Sequence, residues 1–248
     1  MHFRKRASPL QALSLGICLA CFVALASTFA FLGARYHATA RLDPSPQEAP
    51  SADVLGFPSV DWDYWKQVNP HVVGWITIPN TMVDYPIVQA QKDNPGYYLD
   101  HDVFGNWNFA GCPYLDADCA KRGLEESQNA VVFAHNLGYG DESMFAAIAH
   151  YADASFAEEH RMILVQTPTA KMAFEAQGAA VLHGSADSKR MSFDGTRDLR
   201  DWLQARLAEC QVLIRTPDPQ PERVFTLCTC SYNRWENERT LLYAFPAD

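Results

Sequence analysis

Between residues 72 and 245 the chain falls into short runs of aliphatic, β-branched and aromatic residues, and this punctuation restricts its fold more than any other feature. The runs are Val72 to Ile78, Val83 to Val88, Ala130 to Ala134, Met162 to Gln166, Met172 to Leu182, Arg223 to Thr229 and Thr240 to Phe245. Runs of that length, rich in strand formers and bounded by turn residues, read as strands. Helical patterning is sparse. Trp62 to Val68 has helical spacing behind a capping Asp61 and is stopped by Asn69-Pro70. Ser143 to Tyr151 and Ala154 to His160 read as a short helical pair, and Thr196 to Leu213 carries Leu199, Trp202, Leu203 and Leu207 at amphipathic spacing. A strand-dominated chain of this kind is expected to be mainly β with peripheral helices, its strands closed into a barrel. At 248 residues, it suits one such domain plus appendages.

Two of the runs end on reactive side chains. Arg223 to Leu227 leads into Thr226-Leu227-Cys228-Thr229-Cys230, and Asn129 to Ala134 leads into His135-Asn136. A strand end holds a thiol rigidly at a sheet margin, and a histidine there supplies an acid and base. Arg239 opens the last run and can point into the same groove, where a fixed cation would stabilise a developing oxyanion. Each residue also has a plainer reading. A cysteine ending a strand is commonly inert packing, a histidine is commonly satisfied by a main-chain carbonyl, and Arg234 in the same loop competes with Arg239.

The run Thr226 to Cys230 matches the TLxTC motif of sortases, and the chain resembles that family of membrane-anchored cysteine transpeptidases of Gram-positive cell surfaces. Asn69-Pro70-His71-Val72-Val73-Gly74-Trp75-Ile76-Thr77-Ile78-Pro79, Val83-Asp84-Tyr85-Pro86-Ile87-Val88-Gln89 and Tyr97-Tyr98-Leu99-Asp100-His101-Asp102 are similar to its class B branch, so that roughly residues 60 to 246 are covered. Cys228 takes the variable position of the motif, commonly a small hydroxyl residue, and Ala134 stands where glycine commonly precedes the histidine. The resemblance implies a closed barrel of about eight strands with an N-terminal helix and a helix inserted before the nucleophile strand. It implies Cys230, His135 and Arg239 as catalytic residues, with Asn136, Ser143 and Thr229 around substrate or oxyanion. The implied reaction is cleavage of a C-terminal sorting motif after threonine through a Cys230 thioester, with transfer to an amine of a cell-wall precursor or a pilin. Peptide hydrolysis would be the side reaction. Class B resemblance also favours a motif beginning with Asn-Pro or Ser-Pro.

Outside that region the sequence is organised differently. Arg4-Lys5-Arg6 precede an uncharged, mostly apolar stretch, so residues 1–11 are expected in the cytoplasm and 12–33 as a transmembrane anchor. A cleaved secretory signal is the competing reading, with Ala38-Thr39-Ala40 as its small-residue site. Residues 34–59 contain Asp43-Pro44-Ser45-Pro46 and Pro50 and read as an extracellular linker, and 60–248 as the catalytic domain. The expected location is a single-pass membrane protein with that domain outside the cell. A net charge of -9 argues against a nucleic-acid partner.

Five cysteines lie beyond the anchor, an odd number, so at least one thiol has no partner within the chain. Cys112 and Cys119 are close enough in sequence to be bridged, and Cys210 with Cys228 is a weaker pairing. Asp116 and Asp118 read as solvated charges and His150, His160 and His183 lack zinc-site spacing, so neither a metal nor a cofactor is expected. Two other functions are consistent with parts of the pattern. Cys228 and Cys230 as a dithiol would make a thiol oxidoreductase, and the same fold could serve as a catalytically idle, membrane-tethered binding module.

Overall fold

Residues 21, 23–28, 52–185, 189–214, 221–232 and 237–247 are described by the computed structural model. It divides into two units, Met1–Asp43 and Pro44–Asp248. In the first, residues 23–28 are helical, and the Ser27 and Thr28 hydroxyls donate to the carbonyls of Val23 and Ala24. Most of the expected anchor 12–33, the Ala38-Thr39-Ala40 segment and the linker up to residue 51 lie outside the described residues. Among the described residues, no helix is long and apolar enough to cross a membrane.

Among the described residues, the second unit has nine strands. These are β1 Val72–Thr77, β2 Asp84–Gln89, β3 Tyr114–Leu115, β4 Asn129–Phe133 and β5 Met162–Gln166. They continue with β6 Lys171–His183, β7 Val212–Leu213, β8 Val224–Ser231 and β9 Glu238–Pro246. Their order is β5-β1-β2-β3-β4-β8-β9-β6-β7, and a further pairing of β5 with β6 closes the first eight into a barrel. Closure removes the open edges that an isolated sheet would present. β6 makes this possible by its length of 13 residues, pairing with β5 at Lys171 to Glu175 and with β9 over most of its course. A register shift between Ala176 and Gly178 bends it around the barrel.

Helices pack outside or cap the barrel. α1, Trp62–Val68, begins where Asp61 accepts from Tyr64 N and ends at an extended Asn69, and its Trp65 ring lies 5.4 Å from Trp75. α2 is the short turn Gly123–Glu126, and α3 Ala146–His150 and α4 Ala154–Glu159 form the expected pair. α5, Gly195–Ala208, buries Leu199, Leu203 and Leu207 against Cys228, Leu241 and Tyr243 on the outer face of β8 and β9. Each such leucine contributes about 1.5–3 kcal/mol when taken out of water.

The helix expected to run from Thr196 to Leu213 is shorter than that. It ends at Ala208 because Gln211 leaves the helical path to hydrogen-bond β6, its N–H donating to Ala179 O and its side-chain oxygen accepting from Val181 N, which aligns Val212–Leu213 as a strand. The Cys112–Cys119 bridge is also not formed. Both are free thiols pointing to different carbonyls, Cys112 towards Pro86 and Cys119 towards Asn129, and Cys210 and Cys228 are free as well.

Candidate active site

Register alone aligns the three candidate residues. β4 runs parallel to β8 with Phe133 beside Cys228, so two residues further on His135 comes beside Cys230. β9 runs antiparallel to β8 with Arg239 directly opposite Cys230. Side chains at such positions share one face of the sheet, and opposed residues have Cβ atoms about 4.5–5.5 Å apart. Histidine, cysteine and arginine therefore form a row across three adjacent strands.

Each member of the row is held. The Arg239 Nη1 donates to Cys230 Sγ at 2.7 Å. The His135 Nε2 is hydrogen-bonded to Leu99 O at 2.8 Å, which leaves Nδ1 as the ring nitrogen free for a reacting group. The His135 carbonyl accepts from Phe145 N, fixing the main chain as it leaves β4. Thr229, on the opposite face of β8, is buried and donates through Oγ1 to Ala134 O at 2.9 Å, tying β8 to the residue before the histidine.

The electrostatics favour a charged pair. Burial pushes the Cys230 thiol up, but hydrogen bonding to His135, the Arg239 charge and hydrogen bonding to Tyr232 together outweigh it and hold the thiol below its ordinary value. Hydrogen bonding to Cys230 raises the His135 imidazole against the opposing effect of burial, and the Leu99 carbonyl adds to the rise. These are the directions that a thiolate beside an imidazolium requires. Cys228 is the contrast on the same strand. Its thiol is buried in the apolar cluster under α5 and is pushed up to about 12 by desolvation.

Other expected residues stand nearby in different settings. Asn136 accepts from Gly138 N, and the Ser143 hydroxyl donates to Asp141, so both side chains are engaged within the loop that follows His135. Asp116 accepts from Asp118 N and pairs with Lys189 at 2.7 Å. Among the described residues, no cluster of three or more histidine, cysteine, aspartate or glutamate side chains is arranged to hold a metal ion. Arg234 lies outside the described residues.

Two participants were not singled out from sequence. Tyr232 hydrogen-bonds to Cys230, and its ring packs beside Gly138, where an added Cβ would lie 3.5 Å away. Its position two residues after Cys230 puts it on the same strand face, and that spacing was the available signal. The Leu99 carbonyl has no side-chain signature at all.

No protein-family profile matches the chain. Among curated proteins it is similar to sortase B of Listeria monocytogenes, 30% identical over 167 residues, which is 66% of this chain and 65% of that protein. The chain spans 65% of the length of the curated relatives it matches. Among solved structures it is similar to a mutant form of Clostridium perfringens sortase B, with a TM-score of 0.67 at 24% identity over 75% of this chain and 86% of the other. A Staphylococcus aureus sortase B-substrate complex aligns with a TM-score of 0.65 at 22% identity, covering 75% and 83%. These structures share the closed eight-strand barrel and its mainly β character. By sequence the chain is similar to class B sortases, and by fold it shares their closed barrel.

Proposed function

We propose that this protein is a cysteine transpeptidase that uses Cys230 as nucleophile, His135 as acid and base, and Arg239 as oxyanion and substrate ligand. One observation carries the reading: a thiol held below its ordinary pKa, with Arg239 Nη1 at 2.7 Å and His135 hydrogen-bonding from the next strand. The Cys230 thiolate would attack the threonine carbonyl of a sorting motif. Collapse of the tetrahedral adduct would break the C–N bond as His135 gives its proton to the leaving amine. An incoming amine would lose a proton to His135, form the new C–N bond and expel the thiolate. Arg239 is already held beside Cys230, so it would need little reorganisation to meet the developing oxyanion charge.

The substrate class follows from family resemblance, and the aligned S. aureus structure is described as a substrate complex. On the same reading, the acceptor is an amine of a cell-wall precursor or a pilin, with hydrolysis where none is at hand. Anchoring through residues 12–33, with the domain outside the cell, is supported by Arg4-Lys5-Arg6 ahead of the apolar stretch. Tethering would raise the effective concentration of enzyme towards substrates retained at the same membrane.

Intact-mass measurement of the full chain in detergent, incubated with sorting-motif peptides, tests the chemistry. An adduct equal to the N-terminal peptide fragment, absent in Cys230→Ala and longer-lived without an amine, is the expected result. Absence of any adduct while Cys230 is still alkylated would overturn the reading.

A further inference from the structure

A cavity of about 370 Å3 opens between the C-terminal end of α1 and the stretches 91–94 and 103–105 on either side of the Tyr97–Leu99 turn. It is separate from the catalytic row, since Cys230, His135 and Arg239 take no part in its walls. Those walls are of two kinds. Tyr97, Tyr98 and Phe104 supply aromatic surface beside Val68, Pro70 and Val103. Asn69, His71, Gln91, Asp93 and Asn94 supply polar groups.

The fold itself occupies only some of these polar groups. Asn69 is fully engaged: its Nδ2 donates to Tyr98 Oη and to Val103 O, both at 3.0 Å, and its Oδ1 accepts from His71 N. Tyr98 Oη accepts from Asn69, so its own proton is directed to His71 Nδ1 at 3.1 Å and the imidazole carries its hydrogen on Nε2. Gln91 Nε2 donates to Gln89 O. Among the described residues, His71 Nε2, Gln91 Oε1, the Asp93 carboxylate and the Asn94 side-chain amide have no partner. The cavity therefore offers a donor at His71, acceptors at Gln91 and Asp93, and both at Asn94.

This combination narrows the ligand. Among the described residues, no lysine or arginine lines the cavity and a carboxylate does, which disfavours phosphate and other anions. A wholly apolar ligand would bury the four open polar groups without replacing their water. The matching chemistry is a ring with an apolar C–H face and a rim of groups that both donate and accept. A pyranose sugar has that form: its C–H face lies on an aromatic ring, while its hydroxyls donate to Asp93 and Gln91 and accept from His71. A volume of about 370 Å3 stands towards the low end of small-molecule pockets, about 300–1,000 Å3, and suits a mono- or disaccharide.

We infer that this cavity is a carbohydrate site that takes pyranose rings, distinct from the place of acyl transfer. Its aromatic wall belongs to the turn that ends in Leu99, whose carbonyl holds His135. A sugar seated on Tyr97 and Tyr98 is thus held next to the catalytic row without entering the chemistry.

Saturation-transfer NMR and calorimetry on the full chain, in a detergent without sugar groups, test the site with cellobiose and diacetylchitobiose. Saturable binding of at least one, with a Kd of about 1 mM or below, is expected. Asp93 and Phe104 are exposed, and their side chains hold no hydrogen bond in the fold. The double variant Asp93→Ala, Phe104→Ala, with folding checked by circular dichroism, is expected to weaken binding by about tenfold or more while Cys230 is alkylated at its normal rate. Binding of neither disaccharide, or a double variant that binds as the unchanged chain does, would overturn the assignment. The readout is binding alone, so either result leaves the acyl-transfer reading to its own test.

Discussion

Arg239 faces Cys230 directly across the β8–β9 ladder and donates from Nη1 to Sγ over 2.7 Å. Because the cross-strand pairing sets the direction of the side chain, the guanidinium is in place before substrate arrives. Arg239→Ala is expected to lower kcat/KM for acyl transfer by about 100- to 1,000-fold, the usual loss for an oxyanion donor. Arg239→Lys keeps the charge but not the planar fork, so it should restore only part of that loss. Full activity of the lysine variant would show that charge alone suffices.

The opposite displacements of the Cys230 and His135 pKa values have a measurable sign. A lowered thiol pKa means that the thiolate persists to lower pH than in a free cysteine, where it is lost below about 8.5. The rate of iodoacetamide alkylation should therefore rise with an inflection below that value. Removing the imidazole in His135→Ala takes away a group that holds the thiol down, so the inflection should move up and alkylation at pH 7 should slow. An unchanged profile would mean that His135 does not interact with the thiol.

The row of candidate residues was legible in sequence because each sits at or near the end of an apolar run, where strand periodicity fixes its face. Two of the strands were less so. β3 and β7 have only two residues each and exist because neighbouring strands pair with them, so no local pattern announces them. Spacing along the chain also misled. Cys112 and Cys119 are close in sequence, yet their thiols point to the carbonyls of Pro86 and Asn129. The Leu99 carbonyl that holds His135 is main chain, and no choice of side chain at residue 99 would reveal it.

Cys228 is expected to be chemically silent. Its thiol is buried under α5 and pushed up to about 12, so at neutral pH almost none is thiolate. Cys228→Ser should leave acyl transfer within a few-fold of normal and cost about 1–3 kcal/mol of stability if the new hydroxyl finds no partner. Thiol titration of the denatured, unreduced chain should count Cys112, Cys119, Cys210, Cys228 and Cys230 all as free. Loss of peptide chemistry in Cys228→Ser, with thiol exchange in the native protein, would support the dithiol mechanism instead.

Tyr232 lies 62% exposed beside the loop after His135 and hydrogen-bonds to Cys230. Tyr232→Phe keeps the ring against Gly138 and removes only the hydroxyl. The Cys230 alkylation profile should shift to higher pH, and kcat/KM should fall by about 5- to 15-fold, the equivalent of about 1–1.5 kcal/mol for one hydrogen bond. A fall in kcat/KM without the shift in pH profile would assign Tyr232 to substrate binding rather than to the thiol.

Gly111 gives the site a dependence on a residue outside the row. It has φ of +64°, a conformation that glycine adopts without cost, and an added Cβ would collide with the Tyr98 carbonyl and lie 2.8 Å from the Leu99 oxygen. Main-chain atoms cannot swing away as a side chain can, so Gly111→Ala must displace the turn at Tyr97–Leu99. That turn carries the oxygen bonded to His135 Nε2, and its movement would rotate the imidazole away from Cys230. A misplacement of about 1 Å can cost about 100-fold in rate, whereas the thiol keeps Arg239 at its side. Gly111→Ala is therefore expected to lose far more acyl transfer than alkylation of Cys230, measured on the same sample. Equal losses in both would point to general unfolding, and no loss in either would show that the Leu99 carbonyl does not set the histidine.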